Sequence, residues 1–173
     1  MKMLKKLAAL ILAATMVLVL FTAPRGGGDG GSTGTREPDK EAKAFATFSK
    51  NDRVAAEVNV NDPQLQAVAE KYLDEDLRAK VDFFGASFFG KVHVDGEEER
   101  YLTVTVTAKY EYGPLVNGIL STIEKELGRK LPGTNINVDG KGSWTKLGVV
   151  VKSDSGHSYM AVAFQILNPK YNK

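Results

Sequence analysis

"YLTVTVTAKY", residues 101–110, decides the fold class. Leu102, Val104, Val106, Ala108 and Tyr110 alternate with Tyr101, Thr103, Thr105, Thr107 and Lys109, the period of two that an extended strand divides between its faces. One face is expected in the core, and the threonine row on the other is expected in water. A polar turn over 95–99 precedes this strand. Before it, "DFFGASFFGKVHVD" (82–95) reads as a bent strand with glycines at the bends, so the two form a hairpin. Within it the aromatic run "FFGASFFG" (83–90) is assigned to core packing, since aromatic side chains dominate burial.

Working outward, Asp62 is placed to cap a helix with Pro63 at its first position, and Leu65, Val68, Ala69, Tyr72 and Leu73 recur at helical spacing to about residue 80. Upstream, Val54, Ala56, Val58 and Val60 alternate as a half-buried strand, with "AKAFATFS" (42–49) as a further strand across a "KND" turn. A second helix opens near Pro114, carries Leu115, Ile119, Ile123 and Leu127 on one stripe, and stops at Gly128 and Pro132. The chain then reads as hairpins, "TNINVDGKGSWTKLGVVV" (134–151) and "HSYMAVAFQIL" (157–167), with "SDSG" as the last turn. The order ββαββαβββ predicts an α+β domain: an antiparallel sheet of about six to seven strands with two helices packed on one face.

The first 40 residues differ in character. Lys2, Lys5 and Lys6 precede the uncharged, largely apolar run Leu7 to Phe21, the organisation of an export signal. Its 15 residues would make a helix of about 22 Å, short of a roughly 30 Å hydrocarbon core. Residues 1–23 are therefore a signal or anchor segment. Residues 24–40, with six glycines between 26 and 40 and no large apolar side chain there, are a solvated tether, and 41–173 are a single extracytoplasmic α+β domain. "LAALILAATMVLVLFTA" followed by "GGGDGGSTGT" resembles the leader and tether of Gram-positive lipoproteins, and the body resembles their small ectodomains of unassigned role. That resemblance implies a cell-surface or secreted location, but the lipid-bearing cysteine is missing: the chain contains none.

Lys2, Lys5, Lys6 and Arg25 are four of the 23 basic residues, while all 21 acidic ones lie beyond residue 25, so the exported part carries 19 − 21 = −2. This leaves no basic footprint for nucleic acid. Absence of cysteine excludes disulfides, thiol nucleophiles and thiolate metal sites.

His93 and His157 are the chain's two histidines, the residue type used for proton transfer and metal ligation near neutral pH. No HxH or HxxxH spacing supports a metal, and no cofactor is expected. Ser153, Asp154, Ser155, His157 and Ser158 are explained by turn preferences without a Ser/His/Asp set, and "GEEER" (96–100) as a solvated loop. The surface nominated for a ligand or partner is the wet side of the sheet: His93, Thr103, Thr105, Thr107, His157 and Tyr159. The expectation is a membrane-proximal, non-catalytic module binding an extracellular protein or small ligand. A secreted hydrolase using His157 or His93 with nearby carboxylates, or an inhibitor of an extracellular enzyme, stays open as an alternative.

Overall fold

A computed structural model of the chain describes residues 33–79, 89–112, 120–134 and 138–171. In chain order the elements are β1 (Thr35–Arg36), α1 (Pro38–Phe48), α2 (Pro63–Arg78), β2 (Phe89–Asp95), β3 (Tyr101–Lys109), α3 (Leu120–Lys130), β4 (Lys146–Asp154) and β5 (His157–Leu167). The strands form one antiparallel sheet in the order β1-β4-β5-β3-β2. Residues 1–32, where a leader and most of the tether are expected, the stretch 83–88 of the aromatic run, and the expected helix start at Pro114 with Leu115 and Ile119 lie outside the described residues. Among those described, no helix is long and apolar enough to cross a membrane.

The α+β class and the antiparallel sheet stand, while in place of six to seven strands and two helices the described residues hold five strands and three helices. Residues 42–49 are helical because Pro38 opens the helix, Asp39 and Glu41 occupy its first turn, and Glu41, Ala44 and Phe48 share one buried side at helical spacing. An alanine at every second position satisfies either period. The strand expected over 54–60 is absent: Val54 makes one isolated parallel bridge to Trp144, and Val60 is 65% exposed. It has no free ladder to join, since the outer side of β4 is bonded by Glu37, Glu41, Asn61 and Asp62. The third helix runs through Gly128, whose Cα faces open space, and the chain turns in the left-handed region only at Gly133. The folded unit also begins earlier than the expected tether ends, with β1 at Thr35 and α1 at Pro38.

The two faces of the sheet are both covered. On one, Leu102, Val104, Val106, Leu147, Val149, Val151, Val162, Phe164 and Ile166 pack with Phe48 of α1 and with Ile123 and Leu127 of α3. Trp144 closes that core, stacked on Phe164 at 3.8 Å between ring centroids, its indole N–H donating to the Val138 carbonyl at 3.0 Å. On the other, α2 lays Leu65, Ala69 and Leu73 on Val150, Ala161 and Ala163. The expectation of two helices on one face is therefore replaced by α1 and α3 on one side and α2 on the other. The threonine face is not wet.

Candidate functional site

The site follows from how α2 is held. The Asp62 carboxylate accepts the Gln64 and Leu65 N–H groups at 2.9 and 3.0 Å, which fixes the helix start against β4. Gly148 lets the backbones approach: a Cβ there would sit 2.5 Å from Leu65 Cβ and 2.7 Å from the Gln66 nitrogen. Flanking the apolar stripe, α2 then brings Gln66, Glu70, Asp74, Tyr72 and Asp76 down toward the sheet.

Two polar clusters result. Toward β4, the fully buried Lys152 ammonium meets Asp74 at 2.6 Å and Glu70 at 3.3 Å. Glu70 also meets Arg36 at 3.3 Å, and Arg36 pairs with the buried Glu41, which takes a further bond from Gln66 Nε2 at 2.6 Å. Burial raises the Glu41 carboxyl above its ordinary value, and Arg36 opposes the shift. Toward β2, Asp76 accepts from Thr107 Oγ1 at 2.6 Å and lies 2.9 Å from His93 Nε2, while Thr107 Oγ1 accepts the Lys91 N–H at 3.1 Å. Tyr72 stacks on the His93 ring at 4.0 Å and donates to Asp95 at 2.6 Å; burial, then that bond, pushes its phenol up.

The chemistry open to this second cluster is limited by the bonds already made. Thr107 spends its hydroxyl proton on Asp76, the same carboxylate oxygen that faces His93, so His93 has no nucleophile to activate there. His157 does not supplement it. Ala163 on β5 is level with Thr105 and so with His93, and His157 lies six residues further along, roughly 20 Å away along the strand at ~3.3 Å per residue. Its Nδ1 sits instead 3.2 Å from the Ser155 carbonyl in the β4–β5 turn. Among the described residues no group of three or more His, Cys, Asp or Glu is arranged to hold a metal ion.

The nominated surface therefore breaks up. Thr105 and Thr107 are fully buried beneath α2 and unreachable by a partner, and Thr105 Oγ1 has no hydrogen-bond partner. Thr103 is half-buried, with Gln165 Nε2 at 3.4 Å, and Tyr159 is half-buried against the α2 stripe. His157 remains exposed, and His93 keeps 16% of its side-chain surface. Sequence reasoning did not reach Asp74, Asp76, Glu41 or Lys152, and placed Tyr72 only on the apolar stripe. The available signal was the i,i+4 spacing of Gln66, Glu70 and Asp74, and of Tyr72 and Asp76, on either side of an apolar stripe that repeats every four residues.

An open cleft lies on the opposite face of the sheet, between α1 and the end of β3. It has a volume of about 180 Å³ and is lined by Ala44, Phe48, Tyr110 and Met160, with Lys43, Thr47 and Glu111 completing its wall. Lys40 stands beside it, 5.7 Å over the Tyr110 ring and bonded to Ser158 Oγ at 2.7 Å. No protein-family model, curated protein or solved structure matches this chain.

Proposed function

We propose that the protein is an exported, membrane-proximal, non-catalytic binding module, and that its α1 cleft takes a small ligand with an aromatic or branched apolar body and an anionic end. The cleft is the observation that carries the reading. Its apolar lining and volume suit a single substituted ring, since a cavity of about 150 Å³ holds benzene. Lys43 supplies a cation at the wall. The polar groups under α2 point the same way, being consumed by one another and forming a structural network without a nucleophile–base pair.

The test uses 4-methylbenzoate as probe, titrated into the full chain in detergent and followed by backbone amide chemical shifts. Saturable shifts centred on the cleft-lining segments 43–48 and 110–111 and on Met160, and lost in Ala44→Phe, are expected. Their absence would refute the reading. The hydrolase alternative rests on the Asp76–His93 contact alone. It requires His93→Ala to abolish turnover of an ester or peptide substrate at an unchanged thermal midpoint.

A further inference from the structure

The two edges of the sheet are finished differently. Along β4, the Val151 carbonyl accepts the Glu37 N–H at 2.9 Å and its N–H faces the Glu41 carboxylate at 3.3 Å. Asn61 clamps both the N–H and the carbonyl of Val149, at 2.7 and 3.0 Å, and the Asp62 N–H donates to the Leu147 carbonyl at 2.9 Å. Every second residue of that edge is thus closed by a backbone or side-chain group.

The same bonds set the phase of the whole sheet. With the backbone N–H and carbonyl groups of Leu147, Val149 and Val151 directed to the outer edge, alternation across the paired strands turns those of Leu102, Val104 and Val106 of β3 toward β5, and those of Thr103, Thr105 and Thr107 toward β2. Lys91, His93 and Asp95 therefore face β3, in agreement with the Lys91 N–H bond to Thr107 Oγ1 at 3.1 Å. Val92 and Val94 direct their N–H and carbonyl groups away from the sheet. Among the described residues no strand pairs with that side of β2.

We propose that this edge pairs with β2 of a second copy of the chain, antiparallel, about a two-fold axis at His93. That axis sets Lys91 opposite Asp95 of the partner subunit and Val92 opposite Val94 of the partner subunit, each pairing occurring twice. The two valine pairs close four backbone hydrogen bonds, and the two lysine–aspartate pairs match charge on one face. The Lys91 side chain is 56% exposed, with its ammonium 3.9 Å from Asp76, and is free to turn to a new carboxylate. Axes at Val92 or Val94 are disfavoured because they draw the bulge between Phe89 and Lys91, or the left-handed Gly96, into the ladder. "KVHVD" (91–95) is thus self-complementary in one register, and joining two copies gives each β2 a partner on the side where no described strand lies.

The chain has no cysteine, so any introduced thiol is the sole one. Facing residues of a non-hydrogen-bonded antiparallel pair lie about 4.5 Å apart at Cα, within disulfide reach. Full-length Lys91→Cys mixed with full-length Asp95→Cys and oxidised in detergent is expected to give covalent dimer several-fold above either variant alone. His93→Cys is expected to cross-link with itself, and Glu57→Cys, near the β4 edge, to stay at background. Because His93→Cys loses the Tyr72 and Asp76 contacts, the mixed pair, which keeps His93, is decisive. No excess in the mixture over the single variants, or a wild-type chain that sediments as a monomer at every concentration, would overturn the proposal.

Discussion

Thr105 and Thr107 stand two residues apart on one strand, on one face, both fully buried, and differ in what their hydroxyls do. Thr105 Oγ1 has no partner, whereas Thr107 Oγ1 donates to the Asp76 carboxylate and accepts the Lys91 N–H. Valine replaces a hydroxyl by a methyl at nearly constant volume, so the pair isolates hydrogen bonding from packing. For Thr105→Val the desolvation cost of an orphan hydroxyl, about 1–3 kcal/mol, is removed, and the expected change is a stabilisation of about 1–2 kcal/mol. For Thr107→Val a bond to a buried carboxylate is lost, worth about 1.5–3 kcal/mol, and the Lys91 N–H is left without its acceptor. At about 4 °C per kcal/mol for a domain of this size, the two midpoints should move in opposite directions and end more than about 8 °C apart. Thermal denaturation at neutral pH measures both midpoints, and urea denaturation with an unchanged slope m checks that only the folded state was altered. A destabilised Thr105→Val would refute the reasoning, because it would mean that Oγ1 bonds a trapped water whose site the methyl destroys.

The glycines give a second contrast. Gly148→Ala drives a methyl into the start of α2, 2.5 Å from Leu65 Cβ and 2.7 Å from the Gln66 nitrogen, and should cost about 1–3 kcal/mol or more by denaturant midpoint. Gly128→Ala has nothing within 4 Å and lies inside α3, so a gain of about 0.5–1 kcal/mol is expected; equal effects at both positions would argue against the close α2–β4 contact. For Glu41, whose folded-state carboxyl is raised above 4.5 by burial, the folded chain holds its proton to higher pH than the unfolded one. Stability from this group is therefore lost as pH rises through that window. Glu41→Gln, which does not titrate, should gain on the wild type between pH 4.5 and neutrality, and a difference that stays flat with pH would show that Glu41 titrates normally.

What the sequence made legible is what local periodicity and turn chemistry decide. β3 and β5, the "SDSG" turn and the Asp62–Pro63 start of α2 follow from spacings within a dozen residues. The failure over 42–49 was also local, since "AKAFATF" satisfies both periods and the deciding feature, Pro38 with Asp39 behind it, lay in the stretch assigned to the tether. The wet-face expectation failed for a different reason. Threonine is half apolar, so a threonine row is compatible with either surface, and the informative residues were on the neighbouring strands. "GVVV" (148–151) and "MAVAF" (160–164) offer small or apolar side chains to both faces, the mark of a sheet covered twice.

The polar residues were hidden by distance along the chain. Asp76 meets Thr107 across 31 positions, Asp74 meets Lys152 across 78, and Asn61 meets Val149 across 88. No periodicity announces such pairs, because each partner taken alone reads as surface. Together they explain why a helix with Glu70, Asp74 and Asp76 along its sides can lie on a sheet at all. The sheet meets each acid with a donor of its own, Lys152 for Glu70 and Asp74 and Thr107 for Asp76, so the buried charge is compensated where it falls. Residues that pair this completely hold α2 on the sheet, and their polar groups are engaged with one another.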